Sequence, residues 1–190
     1  MSRGLLRNMK KLFIDFFGGI RIYPGGIILF GDHTAQLKGH DVREIVAALE
    51  PGDIVLNRHD YYVSSFFIGG DFSHAGLCVT KDEVIHVGIN GIVKEDILTF
   101  TRADAFAIIR PKDKKTTNIA IERAYMYLET GIQYDYDFDK YSDDYFYCSE
   151  FVDSCYGYIM RDNVSETFIR PSCYLLPNGY FETVLIKGKD

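Results

Sequence analysis

Two residue types in this chain could together perform thiol chemistry, namely cysteine and histidine. Cys148 begins the segment CSEFV, and the apolar residues that follow recur at the spacing of an amphipathic helix. The N–H groups and the positive dipole end of a helix start favour an anion, and the thiolate is the nucleophilic form of cysteine. Cys78 is predicted within a strand, Cys155 on the buried face of the helix and Cys173 in a loop. Position therefore selects Cys148 as the candidate nucleophile.

Two histidines are predicted to lie side by side on neighbouring strands. Apolar residues alternate with His74 in one strand and with His86 in the next, so both imidazoles point away from the apolar face. A loop at 80–82 keeps the apolar faces together and places Gly76 opposite His86. His74 is then the diagonal neighbour of His86, about 7–8 Å away at Cα, a distance that side chains can bridge. Two adjacent imidazoles and a cysteine at a helix start favour thiol catalysis over a structural role.

The elements that must position these residues indicate an α+β fold with a mainly antiparallel sheet. Turn residues such as Asn90 and Gly91 separate short strand-like segments, as in hairpins. We expect one globular unit, with an N-terminal extension at 1–50 and a main domain at 51–190. Helices are predicted at 1–20, 39–50, from Thr116 or Thr117 to Thr130 before Gly131, and at 148–160, and strands at 53–57, 63–68, 74–79, 83–89, 92–97, 105–110 and 181–186.

The composition excludes several classes of protein. With 190 residues, 47% of them hydrophobic and 25% charged, the chain can bury a core. The net charge of −6 and the absence of a Lys/Arg cluster after residue 11 argue against a nucleic-acid partner. No two of the four cysteines have CxxC spacing, so neither a metal site nor a cofactor is predicted, and the thiols are expected to be reduced. His33, His40 and His59 lie in polar segments and are expected at the surface.

Residues 1–20 combine basic side chains with an apolar run. Asp15 interrupts the run, which is too short to span a bilayer, and no convincing signal-peptide cleavage site follows. A cytoplasmic location is therefore favoured. Two interpretations of the segment stay open: a basic amphipathic helix that contacts a membrane surface, or a helix that packs its Leu/Phe face on the domain.

Four blocks of the sequence resemble a known family of enzymes. They are similar to the signature blocks of the YiiX-like group, which belongs to the circularly permuted, NlpC-type papain-like cysteine peptidases and amidases and is related to lecithin:retinol acyltransferase. In permuted members the histidine strand precedes the cysteine helix, which is the order found here. The resemblance implies a permuted papain-like fold. The blocks are PGDIVL (51–56), FSHAGLCV (72–79), GIQYDYDF (131–138) and YCSEFV (147–152).

The resemblance implies a role for each candidate site residue. Cys148 corresponds to the nucleophile and His74 to its base. The third residue, which orients the base, belongs on the strand after the histidine, where His86 is the candidate. Glu83 and Glu95 are alternatives, and Glu83 is the weaker one because it shares a face with the apolar residues of its strand. Unlike a carboxylate, a histidine at this position carries no fixed negative charge. The thiolate–imidazolium pair of Cys148 and His74 is therefore expected to be weaker than one supported by a carboxylate.

One tyrosine also matches a family block. Tyr134 resembles a position near the active cleft and could donate a hydrogen bond to the substrate or the oxyanion. It could equally be one more packed tyrosine among fourteen. The backbone N–H of Cys148 is the other candidate oxyanion donor.

The function that the resemblance implies is hydrolysis of an amide bond through an acyl-enzyme. Cell-wall peptides are one substrate class. The alternatives are a lipid acyl hydrolase or acyltransferase, for which the basic, apolar residues 1–20 are a hint, and an inactive binding or structural module with the same fold. In YiiX-like members the third position often holds Glu, and in the acyltransferase relatives it holds His, so His86 in place of a carboxylate leaves room for the inactive module.

Overall fold

A six-stranded antiparallel sheet lies at the centre of this computed structural model, which describes residues 3–17, 20–23, 27–30, 34–141, 145–165 and 168–188. The helices are α1 (Arg3–Phe17), α2 (Gly39–Ala48), α3 (Val63–Ile68), α4 (Ile97–Phe100), α5 (Lys114–Thr130), α6 (Cys148–Cys155) and α7 (Ile159–Asn163), with a 3-10 helix at Pro171–Leu175. The strands are β1 (Ile20–Tyr23), β2 (Ile27–Phe30), β3 (Ile54–Arg58), β4 (His74–Cys78), β5 (Glu83–Gly88), β6 (Gly91–Asp96), β7 (Ala105–Pro111), β8 (Gln133–Tyr134), β9 (Tyr145–Phe146) and β10 (Phe181–Lys187).

The strand order of the main sheet is β10-β7-β3-β4-β5-β6. Strands β3 to β6 form a meander, as the turn residues predict, whereas β7 returns to pair with the other edge of β3. The predicted register of the histidine strands is confirmed, because Gly76 pairs with His86 and residues 80–82 form the loop between β4 and β5. The side chains of His74 and His86 therefore share one face of the sheet.

Both faces of the sheet are buried, each under a different set of helices. Along β3, Ile54 and Leu56 lie in one core with residues of α5 and α6, while Val55 lies in a second core with residues of α2 and α4. A strand that is covered on both faces has no solvent-exposed side, which explains why DIVLN reads as a nearly continuous apolar run. The antiparallel sheet and the helices on both faces confirm the predicted α+β class.

Two predictions of secondary structure are wrong. Residues 63–68 form helix α3 rather than a strand. The run VSSFFI has no two-residue alternation, and a short apolar run fits either structure until packing decides. The helix predicted over 148–160 ends at Cys155, and α7 begins only at Ile159. Between them, Gly157 and Tyr158 have φ of 81° and 64°, a backbone conformation that interrupts a right-handed helix.

The ends of α5 agree with the sequence at one terminus only. Gly131 follows the helix with φ 70° and ψ 21°, the left-handed conformation expected of a glycine cap. The N-cap is Asp113, whose carboxylate accepts a hydrogen bond from the N–H of Lys115, rather than the predicted Thr116 or Thr117. Within the part of the chain that is described, no helix is long and apolar enough to cross a bilayer.

Candidate active site

Cys148 is the first residue of α6, as its position in the sequence predicts. Tyr147 precedes it in an extended conformation, and α6 packs directly on β4 and β5. The N–H of Ala75, the second residue of β4, hydrogen-bonds the thiol, which places the sulfur against the strand that begins at His74. Burial raises the pKa of the Cys148 thiol, and the surrounding N–H groups oppose that increase. The thiol is therefore protonated at neutral pH.

The two predicted histidines are in direct contact. Nε2 of His74 lies 2.9 Å from Nδ1 of His86, and the ring planes are nearly perpendicular, at 89°. Because Nε2 of His74 is hydrogen-bonded to His86, Nδ1 is the ring nitrogen of His74 that remains for a reacting group. Burial, followed by the charge of His86, lowers the pKa of His74 well below its ordinary value. His74 is therefore neutral at neutral pH and can accept a proton.

The carboxylate of Glu95 lies next to His86, near the ring nitrogen that does not contact His74. Oε2 of Glu95 lies 3.5 Å from Nε2 of His86, a separation too long for a short hydrogen bond but within range of a charge interaction. Glu95 is on β6, where His86 pairs with Val93, so Glu95 is the diagonal neighbour of His86 on the same face. Glu83 instead pairs with Lys94, at 2.6 Å, on the outer part of the sheet.

A phenylalanine completes the surroundings of the histidine pair. The ring of Phe100, at the end of α4, lies 5.7 Å from the ring of His74 and 5.2 Å from that of His86. It occupies space that Gly76 leaves open between them, because a Cβ at Gly76 would lie 3.3 Å from Cζ of Phe100 and 3.2 Å from Cβ of His86. The glycine opposite His86 therefore allows the two imidazoles and the aromatic ring to pack together.

Tyr134, in β8, lies near the cysteine. Burial raises the pKa of its phenol well above the ordinary value, and the neighbouring Cys148 thiol raises it further. The phenol is thus protonated and able to donate a hydrogen bond. Its ring is half-buried and packs 4.9 Å from that of Tyr136. The structure therefore brings Tyr134 into the neighbourhood of Cys148.

A family model described as "Permuted papain-like amidase enzyme, YaeF/YiiX, C92 family" matches residues 48–173, which is more than half of the chain. The chain belongs to the C92 family of permuted papain-like amidases. The resemblance drawn from the four sequence blocks is confirmed, and a cysteine peptidase or amidase activity follows from membership of the C92 family.

A solved structure supports the permuted papain-like fold of the C92 family. It is titled the crystal structure of the metalloprotein YiiX from Escherichia coli O157:H7, and it superposes with a TM-score of 0.58 at 18% sequence identity. The match covers 73% of this chain and 97% of that one. At this level of identity the likeness shows the fold alone. No curated protein sequence matches the chain.

Sequence reasoning missed two contributors to this C92 site. His59 was expected at the surface, yet it is half-buried and its charge lowers the pKa of His74. Phe100 was not among the predicted site residues, because it lies far from the family blocks in sequence. Only the folded structure brings its ring next to the histidines. The available signal was Gly76, since a glycine opposite a predicted site histidine indicates that another group fills the space.

Proposed function

We propose that this C92 protein hydrolyses an amide bond with Cys148 as nucleophile, His74 as general base and His86 as the residue that orients the base. The observation that carries the proposal is the His74–His86 contact of 2.9 Å, together with the contact between the thiol of Cys148 and Ala75, the residue after His74. A thiol catalyst needs a nucleophile, a base to deprotonate it and a group to hold that base, and the three side chains match these needs. Peptide amides, including those of cell walls, are the substrate class to test first.

In the first step, Nδ1 of His74 takes the thiol proton as Sγ of Cys148 attacks the carbonyl carbon. The carbonyl oxygen becomes negatively charged, and the N–H of Cys148 and the phenol of Tyr134 are the donors proposed to stabilise it. The C–N bond then breaks, and the imidazolium of His74 returns its proton to the leaving amine. The product of this step is a thioester on Cys148.

In the second step, water hydrolyses the thioester. His74, neutral again, takes a proton from the water while its oxygen attacks the thioester carbon. The C–S bond breaks, the thiolate of Cys148 regains the proton from His74, and a carboxylic acid leaves. The depressed pKa of His74 suits this cycle, because the base is free of a proton before each attack.

Glu95 is proposed as a positioning residue that acts through His86. When Nδ1 of His74 is the proton acceptor, its Nε2 carries a hydrogen and donates to Nδ1 of His86. Nε2 of His86 then carries a hydrogen directed towards the side where Glu95 lies, 3.5 Å away. The carboxylate supplies the negative charge that a second imidazole lacks, and it favours this arrangement of hydrogens.

A metal ion has no part in these steps. The YiiX structure is described by its title as that of a metalloprotein. Across the residues described in the present chain, no group of three or more His, Cys, Asp or Glu side chains is placed to hold a metal ion. The proposed steps need only the side chains of Cys148 and His74 and the hydrogen-bond donors around them.

The proposal can be tested by the rate at which each cysteine reacts with iodoacetamide. We expect Cys148 to be alkylated at least about tenfold faster than Cys78, Cys155 and Cys173, because a neighbouring base promotes thiolate formation. All four cysteines are buried and none is in a disulfide, so Cys78, Cys155 and Cys173 serve as internal controls. The rate at each cysteine is read by peptide mass mapping.

Two variants make the test specific. His74→Ala should slow the alkylation of Cys148 without changing the other rates, and Cys148→Ala should abolish the acylation of the protein by p-nitrophenyl acetate. Equally slow alkylation of all four cysteines in the wild-type chain would instead indicate an inactive module that keeps the fold.

A further inference from the structure

Helix α1 presents a stripe of apolar side chains to solvent. Five exposed apolar residues of α1 recur at the spacing of one helix face. Leu12 is the most exposed of the five, at 69%. Neither of the two hydrophobic cores found among the described residues includes a residue of α1. The interpretation in which the Leu/Phe face packs on the domain is therefore wrong. The stripe consists of Leu5, Leu6, Met9, Leu12 and Phe13.

The opposite, basic side of α1 faces the domain. Arg7 hydrogen-bonds Gln133, and its guanidinium lies 3.9 Å from the centre of the Tyr145 ring. Lys10 forms an ion pair with Asp137. A surface helix normally buries its apolar stripe and exposes its charges, and α1 does the reverse. These contacts hold the helix in an orientation that leaves the stripe facing outwards.

The charge of α1 is opposite to that of the whole chain. Residues 3–17 contain two arginines, two lysines and a single acidic residue, Asp15, whereas the chain has a net charge of −6. A basic helix with an exposed apolar stripe is the pattern of segments that lie in the interface of an anionic membrane. With 15 residues, α1 is too short to span the bilayer.

The size of the stripe also distinguishes a lipid surface from a protein partner. Five partly exposed apolar side chains present at most about 500 Å², which is less than the roughly 800 Å² per partner in a standard protein interface. A lipid surface needs no matching groove, because it can adapt to the convex apolar face of a helix. Charge and shape together therefore favour lipid over a second copy of this chain.

We propose that α1 binds the surface of anionic membranes, with its Leu/Phe stripe in the interface and its axis parallel to the bilayer. The contacts of Arg7 and Lys10 attach the helix to the segment that contains Tyr134. Membrane binding then holds this segment, and with it the region around Cys148, next to the lipid surface. The binding itself does not depend on the catalytic proposal, and Cys148→Ala should leave it unchanged.

Vesicle flotation of the full chain tests the proposal. We expect the wild-type chain to float with vesicles of phosphatidylcholine and phosphatidylglycerol at 7:3, and much less with phosphatidylcholine alone. Leu12→Glu/Phe13→Glu should lower the bound fraction more than about tenfold, because it removes two side chains that leave water on binding. The matched control is Ile119→Glu/Met126→Glu, which changes two exposed apolar residues of α5 (49% and 52%) and should bind like wild type.

Three results would overturn the proposal. The first is a wild-type chain that stays with neither kind of vesicle. The second is equal loss of binding in the α5 control, which would indicate non-specific adsorption. The third is a dimer, measured by light scattering, that Leu12→Glu/Phe13→Glu dissociates while vesicle binding is absent, which would assign the stripe to a second copy of the chain.

Discussion

Two shifted proton affinities determine the resting state of the candidate site. Burial raises the pKa of the Cys148 thiol and lowers that of His74, so both groups are neutral before a substrate arrives. Charge therefore forms during the attack, when Cys148 becomes covalently bound and His74 becomes an imidazolium. In the proposed cycle, the carboxylate of Glu95 next to His86 is the group that favours this imidazolium.

The Glu95→Gln variant removes the negative charge of Glu95 and keeps the shape of its side chain. The amide oxygen still fits beside His86, but the negative charge is lost, so we expect the acylation rate with p-nitrophenyl acetate to fall about tenfold with KM unchanged. The matched control is Glu83→Gln on the same sheet, whose carboxylate pairs with Lys94 and which should leave the rate unchanged.

The pH profile distinguishes a positioning role from a structural one. Loss of the carboxylate should shift the lower limb of the rate profile to a lower pH, because the imidazolium of His74 is no longer stabilised. A rate loss with an unshifted profile, or an equal loss in Glu83→Gln, would contradict the role of Glu95.

At the scale of the elements, the close approach of β4 and β5 decides whether the histidines can meet. Gly76 pairs with His86, and a Cβ on Gly76 would lie 2.6 Å from Cγ1 of Val84. The contacts around that missing Cβ come from Val84 and His86 of β5 and from Phe100 of α4. The pairing of the imidazoles thus depends on a residue that carries no side chain.

Gly76→Ala should disturb this packing. We expect the free energy of unfolding to fall by about 1–3 kcal/mol, because an added methyl group in a filled core forces its neighbours to move. We also expect slower alkylation of Cys148, since a displaced His86 no longer orients His74. Gly179→Ala is the control, because a Cβ there has nothing within 4 Å. Urea unfolding and mass mapping measure the two effects, and unchanged values for Gly76→Ala would refute the argument.

At the scale of the whole molecule, the buried carboxyl group of Glu150 lowers the free energy of unfolding by an amount that varies with pH. Glu150, in the first turn of α6, is fully buried, and burial followed by the charge of Asp135 raises its pKa from 4.5 to about 9. Between these two pH values the folded state holds a proton on Glu150 that the unfolded state has released. By linkage, this group makes the fold less stable as the pH rises from about 4.5 to 9.

Glu150→Gln should remove that dependence. Wild-type stability should fall between pH 6 and pH 8 by up to about 1.4 kcal/mol per pH unit from this group, and the variant should lack this decrease. Glutamine resembles the protonated acid in shape, so the variant should match wild type near pH 5. Glu122→Gln, on the exposed side of α5, is the control. Urea unfolding at several pH values measures the slopes, and identical slopes in wild type and Glu150→Gln would contradict the prediction.

Local sequence rules were sufficient to select Cys148, His74 and His86. Strand alternation determined which face His74 and His86 share, and the loop at 80–82 determined their register. The 3.6-residue spacing of apolar positions located the helix that begins at Cys148. These features depend on neighbours within a few residues, where backbone geometry leaves few alternatives.

Only the tertiary structure decided how these pieces meet. The docking of α6 against Ala75, the reach of Glu95 to His86 and the burial of Glu150 depend on contacts between residues that are distant in the sequence. The same holds for residues 63–68, whose apolar run became helix α3 once packing was in place. Alternation and spacing describe one element at a time, whereas proton affinities and the outward face of α1 follow from what surrounds an element.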